Sequence, residues 1–190
     1  MGAPHGSLLH ATQIFKAGAS DALPLCRGQP PPLLFQQAVR SSMRYFLDTE
    51  FNGFAGALIS VALVPEFGDD EFYVSLPLDE EPHGWVQRNV IPYLRHVPPG
   101  IDMELSRVEA AHHLADYLAG DSDPVIVADW PEDLAHFCAL LVIGPGQMVD
   151  MNGLQLQLVN AAGFSAAANS RIPHNALHDA RALRDFCLGN

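Results

Sequence analysis

Apolar and polar positions divide the chain into a run of strands followed by alternating strands and helices. The stretch Arg44-Tyr45-Phe46-Leu47-Asp48-Thr49-Glu50-Phe51 is apolar and aromatic, broken by two acids two positions apart. It closes at Asn52-Gly53, the pattern of a buried strand entering a turn. Ala57 to Val64 is a second apolar strand, and Glu71 to Leu76, after the turn Phe67-Gly68-Asp69-Asp70, is a third. Short connections between the three predict an antiparallel meander. Trp85 to Ile91 then has helical spacing that Pro92 stops or bends. Ser106-Arg107-Val108-Glu109 is a capping box, opening a helix to about Leu118 that ends at Gly120, with Val108, Ala111, Ala115 and Leu118 as its apolar face.

The second half alternates. Pro124 to Ala128 is short, β-branched and continuous, as expected of a strand buried on both faces. Asp129-Trp130-Pro131-Glu132-Asp133 leads into a helix from Leu134 to about Val142, with Leu134, Phe137, Cys138 and Leu141 on one face. Between Gly144 and Ser170 the pattern is weak: Gly146 to Asp150 reads as a strand, and Leu154 to Val159 as a strand or a helical turn. A last helix begins at Pro173-His174-Asn175, with Leu177, Ala180, Leu183 and Cys187 as its stripe. A meander followed by alternation predicts an α/β fold, a mixed sheet of antiparallel meander plus parallel strands flanked by helices.

Composition sets the limits of that domain. An apolar fraction of 48% with a mean hydropathy of +0.09 supports a real core. Residues 1–42 mix Gly, Ala and Pro around Pro30-Pro31-Pro32 and read as a poorly ordered extension with one short helix near Pro32 to Val39. Residues 43–190 read as one globular domain. Of the formal charge of −12, residues 1–42 hold three basic side chains against one acid, so the domain itself is more acidic still. Such a surface is no electrostatic clamp for duplex nucleic acid. An acidic site filled with cations can nonetheless meet a strand end. Cys26, Cys138 and Cys187 are odd in number and lack zinc-like spacing, which fits a reducing, cytoplasmic setting; no stretch approaches a membrane span.

The candidate chemistry lies in the acids. Alternation puts Asp48 and Glu50 on one face at the end of a core strand, where they repel unless protons or a divalent cation compensate them. Asp133 opens the helix after the Val125 strand, with Asp129 as its rival, and Asp179 lies on the last helix. Asp129 could alternatively cap the Leu134 helix. Alternation points Phe51 away from the Asp48 and Glu50 face, which favours core packing over base stacking; Trp130 is the second candidate for stacking on terminal bases. Arg171, Arg181 and Arg184 lie near Asp179 and can be phosphate contacts or ordinary solvated charge. His112, His113 and His178 read as surface residues, His178 alternatively as a residue behind the site.

In order and context these residues resemble the DEDDh branch of the DnaQ-like 3′ to 5′ exonucleases, and within it the small bacterial exoribonucleases of the ribonuclease-T-like group. Asp48-Thr49-Glu50 matches the first motif, and His174-Asn175-Ala176-Leu177-His178-Asp179 matches H-x-A-x-x-D, the most specific of the three. The second motif departs from the usual H-N-x-x-F-D, offering Ala128-Asp129-Trp130-Pro131-Glu132-Asp133 instead. The resemblance covers Met43 to Asn190. It implies a ribonuclease-H-like fold and a two-metal phosphodiester hydrolase with Asp48, Glu50, Asp133 and Asp179 as ligands of Mg²⁺ or Mn²⁺ and His174 as general base. It further implies single-stranded 3′ ends as partner, RNA favoured over DNA, release of nucleoside 5′-monophosphates, and a homodimer. The alternatives are a DNA-directed 3′ to 5′ exonuclease, a catalytically idle relative that binds RNA ends or a protein, and a haloacid-dehalogenase-type phosphohydrolase. The latter wants D-x-D and a later lysine, whereas this chain has Glu50 and no lysine after Lys16.

Overall fold

The computed structural model describes residues 42–190; the short helix expected near Pro32 lies outside them. Strands β1 (Arg44–Phe51), β2 (Leu58–Pro65) and β3 (Phe72–Ser75) form the expected antiparallel meander. Helix α1 (Gly84–Asn89) gives way at Pro92 to a 3-10 turn, Ile91–Tyr93. Helix α2 (Arg107–Leu118) starts at the Ser106–Glu109 capping box, with both reciprocal bonds made. Strand β4 (Val125–Ala128) and helix α3 (Pro131–Leu140) follow, then a two-stranded hairpin of β5 (Val142–Gly144) and β6 (Gln147–Met148). Strand β7 (Gln155–Leu158), helix α4 (Ala166–Asn169) and helix α5 (Ala176–Leu188) complete the domain.

The main sheet has the order β3-β2-β1-β4-β7, with β1, β4 and β7 mutually parallel and β2 and β3 antiparallel to their neighbours. This is an α/β architecture, a five-stranded mixed sheet flanked by helices. The weak stretch around Leu154 resolves as the parallel edge strand β7, all four residues exposed. No helix of the described residues is long and apolar enough to cross a membrane.

Side-chain alternation along β1 divides the core. Leu47 packs with Val61, Leu63, Val74, Leu114, Leu118, Phe137 and Leu140 on the α2 and α3 side. On the other side Phe46 packs with Val127 and Leu183, and Ala62, Val64 and Tyr73 meet Ala176, Leu177 and Ala180 of α5. Even-numbered residues of β1 therefore face α5, and odd-numbered ones face α3. Small residues on α5 let its backbone approach the sheet closely, where bulkier side chains would hold it off.

Three helix readings need correction. Val108 is exposed, and Ala110 and Leu114 fill the α2 face instead, because Val108 lies in the first turn before the helix meets the sheet. Helix α3 begins three residues earlier than the apolar stripe indicated, since Pro131 stands at its first position, where a missing N–H costs nothing. Helix α5 begins at Ala176, with the Asn175 side chain accepting the His178 N–H, and Cys187 is exposed rather than part of its stripe.

Candidate active site

The acids of β1 stand where the strand leaves the core. Asp48 and Glu50 face α5, opposite Ala62 and Ser60 of β2, and Glu50 is buried. Thr49 points to the other face, where its hydroxyl and its N–H both donate to Asp133 Oδ1 at 2.6 and 3.2 Å. Asp133 is thereby drawn from the first turn of α3 to the end of β1, 3% exposed. From α5 comes Asp179, also 3% exposed, whose Oδ2 accepts the His174 N–H at 3.0 Å. His174 has a φ of 64°, a left-handed conformation uncommon outside glycine, and the Asp179 carboxylate holds it there. A helix N-terminus also favours an acid electrostatically.

All of these side chains line one cavity of about 390 Å³, at the carboxyl ends of the parallel strands β1 and β4. Asp48, Glu50, Asp129, Asp133, His174 and Asp179 are there together with Thr49, Phe51, Gly53, Trp85, Val86, Trp130, Phe164 and Ala166. Asp48 is partly exposed, onto this cavity. Glu50, His174 and Asp179 form the tightest group, with one possible ligand atom from each within 4.8 Å of the others. Asp48 and Asp133 line the same cavity but stand outside that group.

Burial and crowding raise every carboxyl here. Asp48 is raised well above its ordinary value by desolvation, then by the charges of Asp133, Glu50, Asp179 and Asp129. Glu50 is raised for the same reason, with Asp179 and Asp133 as its neighbours. Desolvation pushes Asp133 up to about 7 against the lowering effect of its Thr49 hydrogen bonds. Asp179 and Asp129 are raised by burial as well. Among the described residues Asp179 Oδ1 is buried and makes no hydrogen bond of normal geometry, although the nearby Ser170 hydroxyl lowers the Asp179 carboxyl against burial. Glu50, His174 and Asp179 stand close enough together to hold a metal ion.

The remaining candidates fall in different places. Phe51 lines the cavity, because the β1–β2 register shifts between Glu50 and Phe51 and the alternation that would turn it into the core is lost. Its ring stacks on His136 of α3 at 4.7 Å. Trp130 is 57% exposed at the cavity wall. Asp129 does not cap α3, whose N-cap position is Trp130 without a side-chain bond; it lines the cavity with Asp133, the more buried of the two. His178 is buried, not on the surface, and its Nε2 donates to the His96 carbonyl at 2.9 Å. His112 is exposed, whereas His113 is half-buried against Phe72.

Three aromatic side chains escape sequence reasoning. Trp85 lines the cavity half-exposed, its ring edge-on to His174 at 4.8 Å. A tryptophan beside the buried Val86 on a six-residue helix was the available signal. Phe164 comes from the weakly patterned stretch before Ser170 and left none. Phe54, 94% exposed, stands on the turn beside Gly53. That turn is firmly built: Asn52 is buried and bonds to Glu80, to the Glu81 carbonyl and to the His83 N–H, while Glu132 accepts the Ala55 N–H.

No protein-family model matches the chain, and no curated protein matches it.

Proposed function

We propose that this protein is a metal-dependent 3′ to 5′ exoribonuclease of the DEDDh kind, built on a ribonuclease-H-like sheet, acting on single-stranded ends. The observation that carries the reading is the convergence of Asp48 and Glu50 of β1, Asp133 of α3, Asp179 of α5 and His174 of the turn before α5 on one cavity beside a half-buried rim of aromatic residues. Hard oxygen donors suit Mg²⁺ or Mn²⁺ better than zinc. Two such ions, when bound, would supply an activated water and charge stabilisation at the leaving 3′ oxygen.

The residues of the chain divide the remaining work. Asp48, Glu50, Asp133 and Asp179 would hold the ions. Thr49 orients Asp133 by engaging Oδ1 alone, leaving the second oxygen for the site. His174 takes the proton of the attacking water, a task suited to an imidazole, from a backbone conformation that Asp179 fixes. Trp85, Trp130 and Phe54 offer aromatic faces on which unpaired bases stack without regard to sequence.

Digestion of 5′-labelled single-stranded RNA and DNA oligomers of equal sequence tests the reading. Wild type with Mg²⁺ or Mn²⁺ shortens the strand from its 3′ end, RNA faster than DNA, and EDTA or Asp179→Ala stops it. A folded wild-type protein that shortens neither strand with any metal refutes hydrolysis and favours a binding role.

A further inference from the structure

Among the described residues the Lys and Arg side chains are seven arginines, the single lysine being Lys16. Five of the seven are engaged. Arg44 pairs with Glu66, Arg95 with Asp102 and Glu104, Arg181 with Glu71 and Arg184 with Asp185, while Arg107 donates to the Ala139 carbonyl. Among the described residues Arg88 and Arg171 meet neither a hydrogen-bond nor an ion-pair partner, in a chain holding 22 acids against 10 basic residues. Of the three arginines near Asp179, two are therefore committed to carboxylates and only Arg171 is free.

In sequence the two free arginines flank one contact at the cavity wall. The edge-on contact of Trp85 with His174 joins two segments at the cavity wall. Arg88 lies three residues after Trp85 on α1, and Arg171 three residues before His174. The Arg88 side chain folds back along α1, its Nη1 lying 3.4 Å from where a Cβ on Gly84 would stand. Arg171 lines a second cavity, of about 420 Å³, with Asp69, Asn169, His178 and the paired Arg181–Glu71 and Arg184–Asp185, and α4 contributes Ala166 to the first cavity and Asn169 to this one.

A nucleic-acid strand brings one negative charge per nucleotide to a protein of net charge −12. Ions in the acidic site compensate only the phosphate being cut. Resting on the hydrolase reading above, we infer that Arg88 and Arg171 hold the backbone phosphates on its 5′ side, carrying the strand away from the site across an otherwise repelling surface. A guanidinium presents a planar fork of donors that matches a phosphate, and a free one binds without first giving up a carboxylate.

The test is the salt dependence of binding and turnover of a 5′-fluorescein single-stranded RNA decamer by wild type, Arg88→Gln, Arg171→Gln and Arg95→Gln. Binding is read in Ca²⁺ and hydrolysis in Mg²⁺, from 50 to 200 mM KCl. Each lost phosphate contact on a single strand flattens the log–log salt slope by about 0.7. Arg88→Gln and Arg171→Gln each show that flattening and about a five- to tenfold weaker Kd, while Arg95→Gln, whose side chain is occupied by two carboxylates, follows wild type. Wild-type slopes in both variants, with the decamer still hydrolysed, overturn the arginine assignment and leave the hydrolase reading standing. Binding without hydrolysis in Mg²⁺ sinks the hydrolase reading, with the slopes still judging the arginines, and no binding by wild type overturns both.

Discussion

Replacing Asp133 by Asn separates the cost of the site from its use. Asp133 is 3% exposed and its carboxyl is raised from 3.8 to about 7, desolvation first among the causes. At about 1.36 kcal/mol per pH unit, holding this group ionised in the metal-free fold costs roughly 4 kcal/mol. Because the folded value lies above the unfolded one, the contribution to stability is fully present below about pH 4 and is lost as pH rises through about 7. An asparagine oxygen still accepts from the Thr49 N–H and hydroxyl. The advantage of the carboxylate in those bonds is already contained in the value of about 7. Asp133→Asn is thus about 4 kcal/mol more stable than wild type at pH 8 in EDTA, and no more stable at pH 4. Urea unfolding at both pH values measures the difference, and excess Mg²⁺ at pH 8 shrinks it by stabilising wild type. A variant no more stable than wild type at pH 8 without metal would refute the claim that Asp133 is held at a cost.

Asp48→Ala abolishes turnover while keeping the fold, with a higher Tm than wild type in EDTA at pH 8, since repulsion among the acids is relieved; differential scanning calorimetry decides, and unfolding of the variant would make Asp48 structural. Mg²⁺ or Mn²⁺ raises the wild-type Tm more at pH 8 than at pH 5, because protons already compensate the raised carboxyls at the lower pH; an equal rise at both would argue against a site on these acids. Gly56→Ala destabilises the domain by more than about 2 kcal/mol in denaturant titration, as a Cβ there would stand 2.1 Å from the Asn52 carbonyl oxygen, a backbone atom that cannot swing aside. Retention of stability would show that the 52–57 turn is less firmly built than its hydrogen bonds indicate.

Local signals carried most of the architecture. The meander, the capping box of α2 and the bend at Pro92 are written in short windows, where turn residues, a reciprocal side-chain pair and a missing N–H act within a few positions. The pairing of Asp48 with Glu50 on one face followed from strand alternation alone. The resemblance to H-x-A-x-x-D, rather than spacing alone, singled out His174 and Asp179, and the left-handed turn at His174 and the start of α5 at Ala176 were invisible to it.

Contacts distant in sequence decided the rest. The sequence preferred Asp133 to Asp129 only for its place at the helix start; the Thr49 bonds, made 84 positions away, bury Asp133 at the end of β1. Phe51 was misdirected by alternation because a register shift against β2 resets the strand at its last residue, and a shift of that kind depends on the partner strand rather than on the residue itself. The β7 edge strand has no buried face to impose a period, so its pattern was weak and only its pairing with β4 defined it. Which arginines are free was likewise settled by the carboxylates that other segments bring within reach. Periodicity records what a residue does for its own element; a site is assembled where elements end, and there the tertiary structure chooses the neighbours.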